Sequence, residues 1–234
     1  MDERMFYMNM SVKEKYSSRE LERQIDSGYY ERFMMSQKPL SPAIEASRRA
    51  TGNVFLDHYV LEFLDVPDSV SERDVRKSIT GNLKDFILEI GNDFTFIGEE
   101  HRVQVGKHDY YVDLLFYHRG LSCLAAFELK IGEFKPEYVG KMNLYLEALD
   151  REMRKENENP SVGVILCASK DDEVVEFALS RSLSPTMVSE YNLKLIDRKL
   201  LQKKLKEYIE LAETISDDEY VDTDVFLIGQ EKRG

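Results

Sequence analysis

Two apolar segments of the chain carry charged side chains that one divalent cation could use: Val112-Asp113-Leu114-Leu115-Phe116-Tyr117 and Phe127-Glu128-Leu129-Lys130. Between them runs a short turn containing Gly120. Aliphatic and aromatic runs bounded by turn residues read as adjacent strands of a hairpin. Side chains alternate along a strand, so Glu128 and Lys130 point to one side of the sheet and Leu129 to the other. With the turn centred between Gly120 and Leu121, position 113 lies opposite position 128, and the two carboxylates converge with the amine. Among so much Leu, Phe and Ala these charges are costly to bury without partners, and a metal ion is a natural one. The same residues also suit solvated positions on the open face of an antiparallel sheet. Their place on successive apolar strands, in register and after a helix carrying further acids, favours chemistry.

Composition restricts what surrounds them. The chain has 234 residues, 42% of them hydrophobic, with 13 Tyr and 12 Phe, enough for a real core of one large domain, or one domain with an appendage. No apolar stretch approaches the length needed to cross a bilayer, and Met1-Asp2-Glu3-Arg4 lacks the start of a signal peptide, so the expected compartment is the cytoplasm. Cys123 and Cys167 lie in apolar strand-like runs and read as buried free thiols, and no Cys/His spacing suggests zinc. A net charge of -12 argues against a protein that coats nucleic acid through bulk electrostatics, but leaves room for a basic cleft.

The elements that must position the hairpin follow from periodicity. Residues 1–50 read as an N-terminal helical segment, with Ser18 as the cap of an amphipathic helix and a second helix from 29 to 35. The prolines at 39 and 42 mark a boundary. So short a segment cannot form its own core; it packs on the main domain, pairs with a second copy as a homodimer, or ends a longer upstream domain. The main domain spans 53–213, followed by an acidic tail at 214–234. Within it, Ser71 and the acids after it open one long helix ending at Gly91, with Val75, Ile79, Leu83, Phe86, Ile87 and Ile90 on its apolar face. Short strands at 94–97 and 102–105 lead to the hairpin. A helix from about 136 to 155 follows, then a continuous apolar run at 162–168 expected to be buried on both faces, a helix from 172 to 181, a strand within 187–196 and a charged helix from 198 to about 213. Strands separated by helices imply an α/β fold, a mixed sheet flanked by helices.

The order of helix, Asp on a strand, Glu-x-Lys on the next strand and then a helix resembles the PD-(D/E)XK nuclease superfamily. Within it, residues 57–208 resemble the YhcG-like nuclease domain. The runs YYVDLLFYHRGL (110–121), FELKIGEFKPEYVGKMNLYL (127–146) and NPSVGVILCASKDD (159–172) carry the likeness. Residues 18–32 resemble the end of that family's N-terminal helical domain, whose upstream part lies outside this chain.

The resemblance implies a restriction-endonuclease-like fold and hydrolysis of phosphodiester bonds with Mg²⁺ or Mn²⁺. Asp113, Glu128 and the backbone carbonyl of Leu129 would be the oxygen ligands, as hard cations prefer, and Lys130 would hold water or stabilise charge developing on phosphorus. The superfamily often adds an acid from the preceding helix; Glu89 is the first choice and Glu72 the second. Glu100 stands where relatives often carry Gln. Many relatives carry Gln and Tyr four residues apart on the following helix, where this chain has Lys141 and Tyr145. That spacing puts both on one face, so they are candidate substrate contacts, although a solvated lysine and a core tyrosine would serve equally. Lys135 is a further candidate for phosphate contact. Tyr111 and Tyr117 share the strand face of Asp113, whereas His108 and His118 read as solvated turn-edge histidines. The function expected is a metal-dependent endonuclease on DNA, with RNA left open, in defence or in recombination and repair. The competing expectations are an inactive nuclease-fold module that binds nucleic acid or a partner protein, and a helical assembly protein that dimerises through residues 1–50.

Overall fold

A computed structural model of the chain describes residues 2–36, 42–52, 54–66, 71–182, 184–207 and 209. The helices are α1 (Glu3–Glu14), α2 (Ser18–Asp26), α3 (Tyr29–Ser36), α4 (Pro42–Ala50), α5 (Glu72–Gly81), α6 (Leu83–Ile90), α7 (Glu137–Glu152) and α8 (Asp172–Leu179). The strands are β1 (His58–Val60), β2 (Phe94–Val105), β3 (His108–His118), β4 (Cys123–Glu133), β5 (Val162–Ser169) and β6 (Thr186–Asn192). They form one sheet in the order β1-β6-β5-β4-β3-β2. Pairing is antiparallel across β2, β3 and β4 and parallel from β4 through β5 and β6 to β1. This is the mixed sheet flanked by helices that the sequence predicts.

The run at 162–168 does lie inside the sheet. Val164 and Leu166 join one apolar cluster with Phe86, Phe116, Phe127 and Leu129, while Ile165 and Cys167 join the other with Met142, Tyr145 and Leu149. The sheet is therefore covered on both faces, by α5 and α6 on the first side and by α7 and α8 on the second. Helix α7 packs its side chains over Gly163. A Cβ added there would stand 2.5 Å from Met142 Cγ, so a larger residue would force the Met142 side chain to shift.

Several local expectations need correction. The predicted long helix ending at Gly91 is two helices, broken at Asn82 with φ -118 and ψ 37. Thr80, Gly81 and Asn82 are all weak helix formers, and three together outweigh the apolar periodicity that continues through them. The two short strands are one strand, β2, with a bulge between Phe96 and Gly98 and a left-handed residue at Glu100, φ 45. The cap of α2 is Ser17, which forms a capping box with Glu20. Helix 198–207 is present in its described part and Pro42 of the proline boundary opens α4, whereas residues 37–41 of that boundary and the acidic tail at 214–234 lie outside the described residues.

The N-terminal helices pack on the sheet domain. Tyr29 and Phe33 of α3 pack against the first apolar cluster and Ile44 of α4 joins the second, and largely buried polar contacts add to these. Arg32 of α3 and Arg23 of α2 both reach Glu89 of α6, at 2.5 and 3.1 Å, and Glu89 also accepts the Val60 N–H at 2.8 Å. Gln24 donates to the Leu88 carbonyl, and Arg48 of α4 pairs with Asp57 at 2.7 Å. Among the described residues no helix is long and apolar enough to cross a membrane.

Candidate active site

Strands β3 and β4 pair from His118 opposite Cys123 to Leu114 opposite Phe127, the register inferred from the turn. Asp113 and Glu128 are the next residues on each strand. There a side chain takes over from the ladder: the Leu129 N–H donates to Asp113 Oδ2 at 2.9 Å. Leu129 packs into the first apolar cluster with Phe127, which leaves Glu128 and Lys130 on the other side of the strand. Lys130 Nζ lies 2.9 Å from Glu128 Oε1 and donates to the Leu129 carbonyl at 3.0 Å. The sequence-derived trio thus meets at one place, where the two strands part.

The site is crowded with charge. Glu128 is 2% exposed and pairs with Lys141 at 2.5 Å as well as with Lys130. Burial pushes its carboxyl above the ordinary range, the nearby Asp113 adds to the rise, and Lys141 and Lys130 oppose it. Lys130 is 8% exposed and also donates to Glu72 Oε2 at 3.1 Å. Burial alone would lower its pKa, but Glu128 and Glu72 hold it above the usual value, so the amine stays charged. Arg76 of α5 reaches Asp113 Oδ1 at 3.0 Å and Glu100 Oε1 at 2.6 Å. Four carboxylates, those of Asp113, Glu128, Glu72 and Glu100, are therefore interleaved with three cations, Arg76, Lys130 and Lys141.

A hard divalent cation fits the donors present. Asp113, Glu128 and the Leu129 carbonyl are all oxygen ligands. Glu128 Oε2 is buried and makes no hydrogen bond, a state that costs free energy unless something satisfies it. Among the described residues no group of three or more His, Cys, Asp or Glu side chains is set to hold a metal, so the protein side of such a site rests on two carboxylates and the carbonyl.

The other sequence-derived candidates are divided by the fold. Glu89, the first choice for a helix acid, is fully buried among Arg32, Arg23 and the Val60 N–H and takes no part in the Asp113 cluster. Glu72, the second choice, is the helix acid that reaches the cluster, through Lys130. Tyr145 is corrected from substrate contact to core: it is buried, and its hydroxyl donates to the Tyr111 carbonyl at 2.7 Å, bracing β3 two residues ahead of Asp113. Lys141 pairs with Glu128 and lies 5.3 Å from the Tyr145 ring centre while its side chain stays 42% exposed, so it sits at the rim of the site. Lys135 is exposed between β4 and α7. Tyr111 is 50% exposed beside the site, whereas Tyr117 packs against the second apolar cluster. His118 is buried rather than solvated: its Nδ1 accepts the Leu121 N–H at 2.9 Å and its ring meets Phe94 edge-on.

Arg76 escapes the sequence reading. Its signal is weak but real: it stands four residues after Glu72, one helical turn along the same face, and next to Val75, whose burial with Ile79 fixes the inward side of α5. Only the partner 37 positions away identifies it.

Comparison with known proteins places this arrangement. Residues 52–206 match the family model of the YhcG PDDEXK nuclease domain. The chain is 36% identical over 209 residues to "Putative nuclease YhcG" of Escherichia coli (strain K12), covering 87% of this chain and 56% of that relative. Solved structures with some likeness include a repair endonuclease from Pyrococcus abyssi, at TM-score 0.38 and 16% identity over 56% of this chain and 50% of the other. Another, an EndoMS-dsDNA2 complex, gives TM-score 0.33 and 13% identity over 49% and 45%. Likenesses that low carry no argument, but a family match over most of the sheet domain does. The chain belongs to the YhcG PDDEXK nuclease domain family.

Proposed function

We propose that the chain is a metal-dependent endonuclease that hydrolyses phosphodiester bonds in DNA, acting in the cytoplasm in defence against foreign DNA or in recombination and repair. One observation carries the reading: Asp113, Glu128 and Lys130 meet where β3 and β4 part, with Glu128 Oε2 buried and lacking a hydrogen-bond partner. Membership in a nuclease family supports it from outside the geometry. The chain spans 56% of the length of the curated relative, so target selection by a whole protein is part of the proposal.

Asp113, Glu128 and the Leu129 carbonyl are the groups that would hold Mg²⁺ or Mn²⁺, which when bound polarises the scissile phosphate and activates water. The rest falls to this chain's own side chains. Lys130, charged and held by Glu128 and Glu72, donates toward the oxygen on which charge grows as phosphorus is attacked. Lys141 opposes the rise that burial imposes on the Glu128 carboxyl. Tyr145 braces the Tyr111 carbonyl and with it the strand that presents Asp113. Exposed Lys135 meets the phosphate backbone as the strand enters.

A second reading, a nuclease-fold module that binds nucleic acid or a partner without cutting, draws on the ion pairs that engage both carboxylates through Arg76, Lys130 and Lys141. A cleavage screen separates the two. The purified chain with Mn²⁺ or Mg²⁺ is tested on linear, branched and single-stranded DNA and on RNA, with Asp113→Ala as control. Cleavage lost in the variant supports the nuclease; binding without cleavage of any substrate favours the inactive module.

A further inference from the structure

Arg76 is 8% exposed, and its two terminal nitrogens are shared between carboxylates of different standing. Nη1 donates to Asp113 Oδ1 at 3.0 Å, and Nη2 lies 2.6 Å from Glu100 Oε1. The Asp113 side chain is largely enclosed, whereas that of Glu100 is 61% exposed and belongs to the left-handed residue of β2. The third nitrogen, Nε, is buried and makes no hydrogen bond. Arg32 behaves otherwise. Its Nε, Nη1 and Nη2 are all engaged, by Ser27, His58 and Glu89, whereas Arg48, paired with Asp57, also leaves its Nε without a hydrogen bond. Arg76 is bound along its carboxylate edge only, and that edge includes the Asp113 proposed above as a metal ligand.

We propose that Arg76 sets the affinity of the Asp113 and Glu128 site for a divalent cation, by holding a fixed positive charge against Asp113 from which Glu100 draws part away. The inference rests on the metal-dependent reading. The guanidinium, 3.0 Å from Asp113 Oδ1, already attracts the carboxylate charge that a metal ion would use. A second cation on the same carboxylate shares that attraction and is repelled by the guanidinium. With partial solvent screening, the fixed charge weakens divalent-ion binding on the order of tenfold. Arg76 is thus a positioning residue that acts through Asp113.

The test is Mn²⁺ titration by calorimetry of the full chain and three variants, with thermal unfolding as the check on folding. Arg76→Gln is expected to bind Mn²⁺ about tenfold more tightly than the unaltered chain, the scale of removing one partly screened charge from beside the site. Arg76→Lys keeps the charge and is expected to stay near the original affinity. Glu100→Gln, an exposed change, removes the rival carboxylate and is expected to weaken binding several-fold. A purely structural Arg76 would give weaker or equal binding in Arg76→Gln, and that result in a folded variant overturns the inference while leaving the metal-dependent reading intact. If Arg76→Gln does not fold, unchanged affinity in Glu100→Gln overturns it instead. Absence of Mn²⁺ binding by all four proteins removes both the inference and the reading beneath it.

Discussion

Replacing Glu89 by Gln separates two roles that the sequence leaves entangled. Glu89 is fully buried, pairs with Arg32 and Arg23 and accepts the Val60 N–H, so it ties α2, α3 and β1 to α6. Arg32 is equally buried. The amide keeps the volume and one acceptor, but leaves a guanidinium in the interior with no counter-charge. Breaking one side of a buried pair in this way costs roughly 3–5 kcal/mol. For a domain of this size each kcal/mol shifts Tm by about 2–4 °C, which gives a fall of about 6–20 °C. Because the pair is out of solvent, 0.5 M salt should change the loss little. Thermal unfolding by circular dichroism in EDTA measures the shift, and Mn²⁺ titration well below the new Tm measures binding. The reasoning is refuted if Glu89→Gln unfolds at the original temperature yet loses Mn²⁺ binding, because that is the signature of a metal ligand.

Two smaller perturbations probe the frame around the site. Gly163→Ala drives a methyl into Met142 and is expected to destabilise the chain by about 1–3 kcal/mol, read from urea unfolding; an unchanged midpoint would mean that α7 does not sit against β5 as described. Burial lowers the pKa of His118 below its ordinary value of 6.5, so the unfolded chain binds the extra proton first. Its contribution is present above pH 6.5 and is lost as pH falls below that value toward the depressed folded pKa. His118→Asn, which keeps an acceptor for the Leu121 N–H, should flatten that part of the stability profile, and an identical slope in both proteins would contradict the assignment.

The parts of this account that are legible in the sequence are those governed by short-range rules. Alternation and turn length give the register that brings Asp113 beside Glu128, and the unbroken apolar run at 162–168 announces a strand covered on both faces. The choice between Glu89 and Glu72 is not legible, because the break at Asn82 uncouples the two ends of what reads as one helix. Lys141 and Tyr145 do share a helix face, but only the packing of α7 on the sheet buries Tyr145 in the core with its hydroxyl on the Tyr111 carbonyl and sets Lys141 beside Glu128. Arg76 looks like any solvated helix arginine until β3 is laid beneath it.

Metal-dependent DNA cleavage with a Lys130→Ala control, paired with Mn²⁺ affinity, tests the central claim most directly. In this account Lys130 acts on the charge that develops during attack and is not a metal ligand. Cleavage should therefore fall by at least about 100-fold, the scale for losing one donor to a developing oxyanion, while Mn²⁺ still binds. Cleavage that survives the change undiminished, or no metal-dependent cleavage by the unaltered chain on any substrate, would contradict it.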